Sequence, residues 1–225
     1  MTFHIVTIFP ELFKTYLGSS ILARAIARGA LKVKLYNLRD FTADKHHKVD
    51  DKPYGGGPGM VIGLPALVRA LAHILRGKPK NKTRVIITTP GGKQFTNKKA
   101  ATMACSYRHI VIITGRYEGL DARLGEVIRR SMGVGVEELS SGPYVLTGGE
   151  LPALIIVDTV SRHLKGVLGK EESLEENRYG IGLPVYTRPE VFCYRKNRYR
   201  VPGALLSGNH KKIDTWRRGK TRRRA

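Results

Sequence analysis

His109-Ile110-Val111-Ile112-Ile113-Thr114-Gly115-Arg116-Tyr117-Glu118-Gly119 runs from six strand-like residues straight into a glycine-bounded loop, and Leu120–Arg130 behind it has the apolar spacing of a helix. A short β-branched run that stops at a glycine turn and hands over to a helix is the unit of parallel sheets, whose neighbouring strands need a crossover between them. The same rhythm extends in both directions. Upstream, Phe3–Phe9 reads as a buried strand, a helical stretch opens at Pro10 and ends near Gly29, and Leu31–Leu38 is a second strand. Leu64–Leu75 is helical, Arg84–Thr89 a strand and Thr96–Ala104 helical. Downstream, Val134–Leu139 is extended and Glu150–Leu164 is an apolar helix. The expected fold is therefore α/β, a mostly parallel sheet with helices on both faces.

Three glycine-rich stretches stand out as ligand loops: Pro53-Tyr54-Gly55-Gly56-Gly57-Pro58-Gly59-Met60, Gly115–Gly119, and Gly142-Pro143-Tyr144-Val145-Leu146-Thr147-Gly148-Gly149-Glu150-Leu151-Pro152. Glycine admits positive φ and close approach to the main chain, so such loops can present amide and carbonyl edges. The second and third follow strand-like runs, where open α/β proteins seat their ligands. None is a Walker loop, and no GxGxxG opens a helix after the first strand, so nucleoside triphosphates and dinucleotides are poor candidates. No Gly-x-Ser-x-Gly elbow supports a serine hydrolase. Residues 39–63 carry neither period, and part of that segment is expected to order on substrate. His46-His47 with Asp44, Asp50 and Asp51 raises a metal site, but adjacent histidines do not easily face one ion, so a structural or RNA-contacting role is preferred and no metal ligand is assigned.

Charge narrows the partner. Forty Lys and Arg against 18 Asp and Glu leave +22, which points to a polyanion and to nucleic acid first. Residues 195–225 hold twelve Lys or Arg against the single acid Asp214, half of the whole excess. Cys105 and Cys193 form neither a disulfide framework nor a CxxC pair, no apolar run reaches about 18 residues, and Met1–Val6 lacks a basic leader. A soluble protein of the reducing cytoplasm, with no membrane partner, is expected. From Lys165 the pattern breaks into the acidic Glu171–Glu176 and a Gly- and Pro-rich passage, read as a linker over residues 165–186 between a domain of residues 1–164 and a short basic, helical region of residues 187–225 that includes Ile213–Arg218.

Pro53–Met60, Gly115–Gly119, Tyr144–Pro152, Val160-Ser161-Arg162, Gly166-Val167-Leu168-Gly169, Tyr186-Thr187-Arg188-Pro189-Glu190-Val191 and Leu205-Leu206-Ser207-Gly208-Asn209-His210, in that order, resemble the bacterial tRNA (guanine-N1-)-methyltransferases of the TrmD type. The resemblance runs from about Phe3 to Trp216. It implies the SPOUT class, with a deep C-terminal trefoil knot whose loops bind S-adenosylmethionine. It also implies a homodimer whose active site is shared between subunits, and methyl transfer to N1 of guanosine 37 of tRNA, beside the anticodon. Carried over, the cofactor loops fall on Thr89 and Pro90, on Gly115, Tyr117 and Glu118, and on Ser141, Gly142, Tyr144, Leu146, Gly148, Gly149 and Pro152. Arg162 matches the arginine that stabilises charge on guanine O6. The substrate side takes His46, Asp50, Tyr54, Gly55, Gly56 and Gly57, which would hold a splayed-out base, and in the C-terminal region Ser207, Asn209 and His210.

The chain departs from the family at the general base. Where the family has an aspartate, the aligned stretch Glu176-Asn177-Arg178-Tyr179 has the amide Asn177, which accepts no proton at neutral pH. Glu176 is the first candidate to replace it and Glu175 the second. Pro143 stands where the third loop usually carries an acid, and the chain stops at Arg222-Arg223-Arg224-Ala225 where relatives continue. The sequence leaves open whether Mg²⁺ assists. It also leaves two further functional readings: a noncatalytic RNA-binding protein that lost its base, and a related SPOUT enzyme acting on another RNA.

Overall fold

The structure, a computed structural model, describes residues 1–169, 174–175 and 181–221. The chain forms two compact units, Met1–Gly169 and Lys170–Ala225.

The first unit is built on five strands: β1 (Thr2–Thr7), β2 (Lys32–Asn37), β5 (Thr83–Gln94), β6 (His109–Thr114) and β7 (Gly135–Ser140). They are parallel throughout and ordered β2-β1-β6-β5-β7. A parallel sheet is covered on both faces, so its strands are apolar on both sides. Phe3, Ile5, Ile86, Ile110, Ile112 and Leu139 point to one face, where they pack with α1 (Glu11–Leu17), α2 (Ser20–Ala27), α4 (Asn97–Ser106) and α6 (Glu150–Arg162). Val6, Val85, Ile87, Val111 and Ile113 point to the other, against α3 (Leu64–Leu75) and α5 (Leu124–Val127). Each strand thus feeds two cores by the two-residue alternation of its side chains. Local signals fix the helix starts: Pro65 sits in the first turn of α3, and Thr96 Oγ1 accepts the Lys99 N–H at 3.2 Å to cap α4.

Several elements differ from the sequence expectation. The helix expected from Pro10 to Gly29 is two helices, because Gly18 ends the first and Ser20 has φ 52°. The helix expected over Leu120–Arg130 starts at Leu124 and widens into a π turn over Ile128–Met132, which ends on the left-handed Gly133. Residues 39–63 contain a small antiparallel pair, β3 (Asp50–Asp51) and β4 (Val61–Ile62). The second unit contains β8 (Val191–Tyr194), β9 (Asn197–Arg200), α7 (Gly203–Leu206) and α8 (His210–Thr221), of which the two strands form a hairpin absent from the sequence reading. Among the described residues no helix is long and apolar enough to cross a membrane.

On β1, His4 is buried, with its ring nitrogens 3.0 Å from Tyr36 Oη and 3.3 Å from His109 Nδ1. Burial, then the charges of Lys78, His109 and Lys34, push its pKa down to about 3, and His109 is lowered for the same kinds of reason. The unfolded chain therefore takes up protons below about pH 6.5 that the folded chain refuses until about pH 3, so this site costs stability progressively as pH falls through that window, by at most about 1.4 kcal/mol per pH unit. His4→Gln removes the titration while keeping a polar group, and its melting temperature should fall less between pH 7 and pH 5 than that of the native chain.

Candidate active site

Three segments at the C-terminal ends of β5, β6 and β7 close around one cavity of about 470 Å³, inside the roughly 300–1,000 Å³ range of small-molecule sites. The first is a bulge in β5. Its pairing with β7 jumps from Thr88↔Leu139 to Lys93↔Leu139, so Thr89-Pro90-Gly91-Gly92 has no partner and stands out from the ladder. Gly92 allows it, since a Cβ there would lie 2.6 Å from Leu139 N.

The second segment is the turn after β6. Tyr117 holds φ 59° and Gly119 φ 111°, and the turn is hydrogen bonded along β4 through Glu118 N–H to Met60 O, Ile62 N–H to Gly119 O and Asp121 N–H to Ile62 O, each at 3.0 Å. A left-handed tyrosine in a cleft wall is strained backbone of the kind that collects at ligand sites. The third segment, Ser141–Gly149, follows β7 and leads into α6. It is pinned to the second by Gly149 N–H donating to Gly115 O at 2.8 Å. A Cβ on Gly149 would collide with Thr88 Oγ1 and fall 2.9 Å from Gly115 N, so the three segments meet too closely for any side chain.

A buried carboxylate fastens them. Glu150, 3% exposed, opens α6 and accepts from Thr7 Oγ1 (3.0 Å), Thr114 Oγ1 (3.4 Å) and Arg116 Nε (2.9 Å). Arg116 also donates to Thr147 O at 3.2 Å and lies over the Phe9 ring. The cavity walls are then apolar at Ile87, Leu120, Leu124, Leu146 and Pro152 and acidic at Glu118, Asp121 and Glu138. Asp121 is held below the usual carboxylate range by its hydrogen bonds from Arg123, at 3.0 and 2.6 Å, so it is charged at neutral pH. A slot with apolar walls, backbone edges and three carboxylates suits a flat heterocycle carrying a cationic tail.

Over residues 1–225 the chain matches the family of tRNA (Guanine-1)-methyltransferase TrmD. The chain belongs to this family. It is similar to proteins named tRNA (guanine-N(1)-)-methyltransferase from Clostridioides difficile, at 46% identity over 97% of this chain and 91% of that one. It is also similar to those of Thermomicrobium roseum, at 46% over 97% and 78%, and Geobacter sulfurreducens, at 43% over 98% and 86%.

In this TrmD-family chain, Thr89, Pro90, Gly115, Tyr117, Glu118, Ser141, Tyr144, Leu146, Gly148, Gly149 and Pro152 all line the cavity. Gly142 does not line it, and sits behind the Tyr144 ring, whose Cε1 takes the space a Cβ would need. The loop 53–60 adjoins the cavity through Gly59, whose Cβ would collide with Glu118 Oε1. Gly55, Gly56 and Gly57 have φ between 79° and 118° with nothing near their missing side chains, and Tyr54 is fully exposed, so that loop buries nothing of its own. Asp50 lies in β3, opposite Ile62. His46 is in a turn closed by Asp44 Oδ2, which accepts its N–H at 3.0 Å, while the ring Nδ1 of His47 lies 3.1 Å from Arg39 O. Among the described residues no group of three or more metal-binding side chains gathers.

Arg162 closes α6, twelve residues beyond Glu150 and so about 18 Å from the cavity end of the helix. Asp158, one turn before it, accepts from Tyr16 Oη at 2.5 Å. Ser207, Asn209 and His210 lie together in the second unit, where Asn209 Oδ1 accepts the Lys212 N–H at the start of α8. Glu176 and Asn177 lie outside the described residues, and Glu175 Oε1 accepts the Gly182 N–H at 2.8 Å. The Arg116–Glu150 pair was missed in the sequence, where its one signal is an acid at the first turn of an apolar helix.

Because breaking a buried pair strands a charge, Glu150→Ala should lower the unfolding free energy by about 3–5 kcal/mol in a urea titration. The double change Arg116→Met with Glu150→Met should recover much of that loss, since no buried charge is left unpaired.

Proposed function

We propose that this protein methylates N1 of guanosine 37 of tRNA, next to the anticodon, with S-adenosylmethionine as donor, in the cytoplasm. What carries the proposal is the cavity that the three family loops build together at the strand ends. In this proposal residues 1–164, within the first unit, form a SPOUT domain with the deep trefoil knot of that class. Residues 165–186 act as a linker, and residues 187–225, with their hairpin and two helices, form a basic tRNA-binding region.

S-adenosylmethionine, when bound, supplies an electrophilic methyl carbon on a sulfonium sulfur. The fit rests on the cavity itself: Leu120, Leu146 and Pro152 would hold the two faces of the adenine, and the backbone of the second and third loops its edge. Glu118 and Asp121 would balance the positive charge of the tail. Loss of the N1 proton puts negative charge on guanine O6, and Arg162 would neutralise it. The proton would go to Glu176, or failing that to Glu175, because Asn177 occupies the place of the family's aspartate.

The same geometry supports a homodimer. Arg162 stands ten residues, about 15 Å along the helix, beyond the cavity-lining Pro152 of its own chain, out of side-chain reach. Leu12 and Tyr16 on α1, Ile21 on α2, and Leu151 and Ile155 on α6 are all 40–60% exposed, apolar side chains on the helix that carries Arg162 and on the first two helices of the chain. Burying them against their symmetry mates would allow the far end of α6 in one copy to serve the cavity of the other.

With methyl-labelled donor, label should enter tRNA carrying guanosine at position 37 and not the same tRNA with adenosine there, in assays run with and without Mg²⁺. Absence of label from both, with the donor bound, would point instead to an RNA-binding protein that has lost its base. Arg162→Ala should lower kcat about 10²–10³-fold, and an equimolar mixture with a Glu118 variant should recover part of it if each site draws on two chains. Glu176→Gln should slow single-turnover transfer, and Asn177→Asp should quicken it.

A further inference from the structure

The β8–β9 hairpin of the second unit has a composition that folding does not explain. Its register pairs Phe192 with Tyr199 and Tyr194 with Asn197, so the side-chain alternation puts all three rings on one face. Val191 with Arg200 and Cys193 with Arg198 share the other. Phe192, Tyr194 and Tyr199 are each 54–55% exposed, and of residues 191–200 only Val191 is partly buried. The Phe192 and Tyr199 rings lie 6.5 Å apart at 34°, an open, tilted pair rather than a closed stack. Rings that contribute to no core are costly on a soluble surface unless something covers them.

Charge identifies what covers them. Arg195 and Lys196 sit at the hairpin tip, Arg198 and Arg200 line the face behind the rings, and no acid occurs between Val191 and Ile213. Arg195 holds φ 54° at the hairpin tip with its guanidinium 5.4 Å from the Tyr194 ring centre. Aromatic faces set among guanidinium groups on a β ribbon match nucleotides whose bases are free to stack and whose phosphates lie within reach. A protein partner would have to bring its own acids to a surface that has none.

We infer that the β8–β9 hairpin is a stacking platform for unpaired nucleotides of tRNA. The inference rests on the tRNA reading above and adds the element and the mode of contact. The rings take the base faces and discriminate single-stranded from paired RNA, whereas the arginines hold phosphates of either.

Binding of the full chain to a tRNA transcript and to a blunt RNA duplex, followed by fluorescence anisotropy over a range of salt, tests it. Tyr194→Leu with Tyr199→Leu should raise the Kd for tRNA about tenfold or more and leave the duplex Kd and both salt slopes unchanged. Arg198→Gln with Arg200→Gln should weaken both RNAs and flatten the salt slope by about one to two. Native-like tRNA binding by the ring variant overturns the platform, as does an equal loss on both RNAs or a shift from dimer to monomer in sedimentation. Should the native chain show ring-dependent binding but transfer no methyl group, the enzymatic proposal fails and the platform stands. Methyl transfer with ring-independent binding leaves the enzymatic proposal standing and overturns the platform.

Discussion

The contact between Glu150 and Arg116 ties together the second and third of the loops that wall the cavity. Glu150 opens α6, where the helix N-terminus favours a negative charge, and its two oxygens gather β1 through Thr7, β6 through Thr114 and the second loop through Arg116. Arg116 carries the tie onward to Thr147 in the third loop and rests on Phe9 just past β1. Ion pairs withdrawn from water contribute little net stability, since desolvation offsets much of their attraction. Their value here is positional. A carboxylate with three donors has few alternative arrangements, so loops rich in glycine, which otherwise sample many shapes, are held in one.

Much of the sheet is legible in the sequence because its strands are buried on both faces and appear as uninterrupted β-branched runs. Phe3–Phe9, Leu31–Leu38, Arg84–Thr89, His109–Thr114 and Val134–Leu139 each coincide with an observed strand. What was missed has local or tertiary causes. β5 continues to Gln94 because the bulge at Thr89–Gly92 lets the ladder resume beyond Pro90, where the proline reads as a stop. The π turn after α5 keeps an apolar period close enough to that of an α-helix to hide in it. β3 and β4 are two residues each, too short for any period to register, while β8 is a run of only four apolar residues and its partner β9 is almost wholly polar, so the hairpin offers no strand pair to read.

Within the site, eleven of the twelve residues expected at the cofactor loops share one cavity, because glycine turns at the ends of adjacent parallel strands converge by topology alone. Gly142 is set apart because Tyr144 folds back over it, a side-chain choice that no spacing encodes. The pairing of Arg116 with Glu150 spans 34 positions and depends on the third loop returning to β6. Arg162 was legible as the end of the helix that begins at Glu150, because an uninterrupted apolar period over Glu150–Leu164 sets the length of α6 and so puts it at the opposite end from the cavity.

At Gly59 the volume that a side chain would fill is taken by the carboxylate of Glu118. The loop of residues 53–60 and the cavity wall are thereby cut to each other's outline, like two gears meshed at a single tooth. A molecule in the cavity that draws Glu118 inward frees space beneath Gly59, and one that pushes it outward removes that space. A side chain at position 59 would have to push Glu118 out of its place in the cavity wall, so the loop tolerates only glycine while that wall stands.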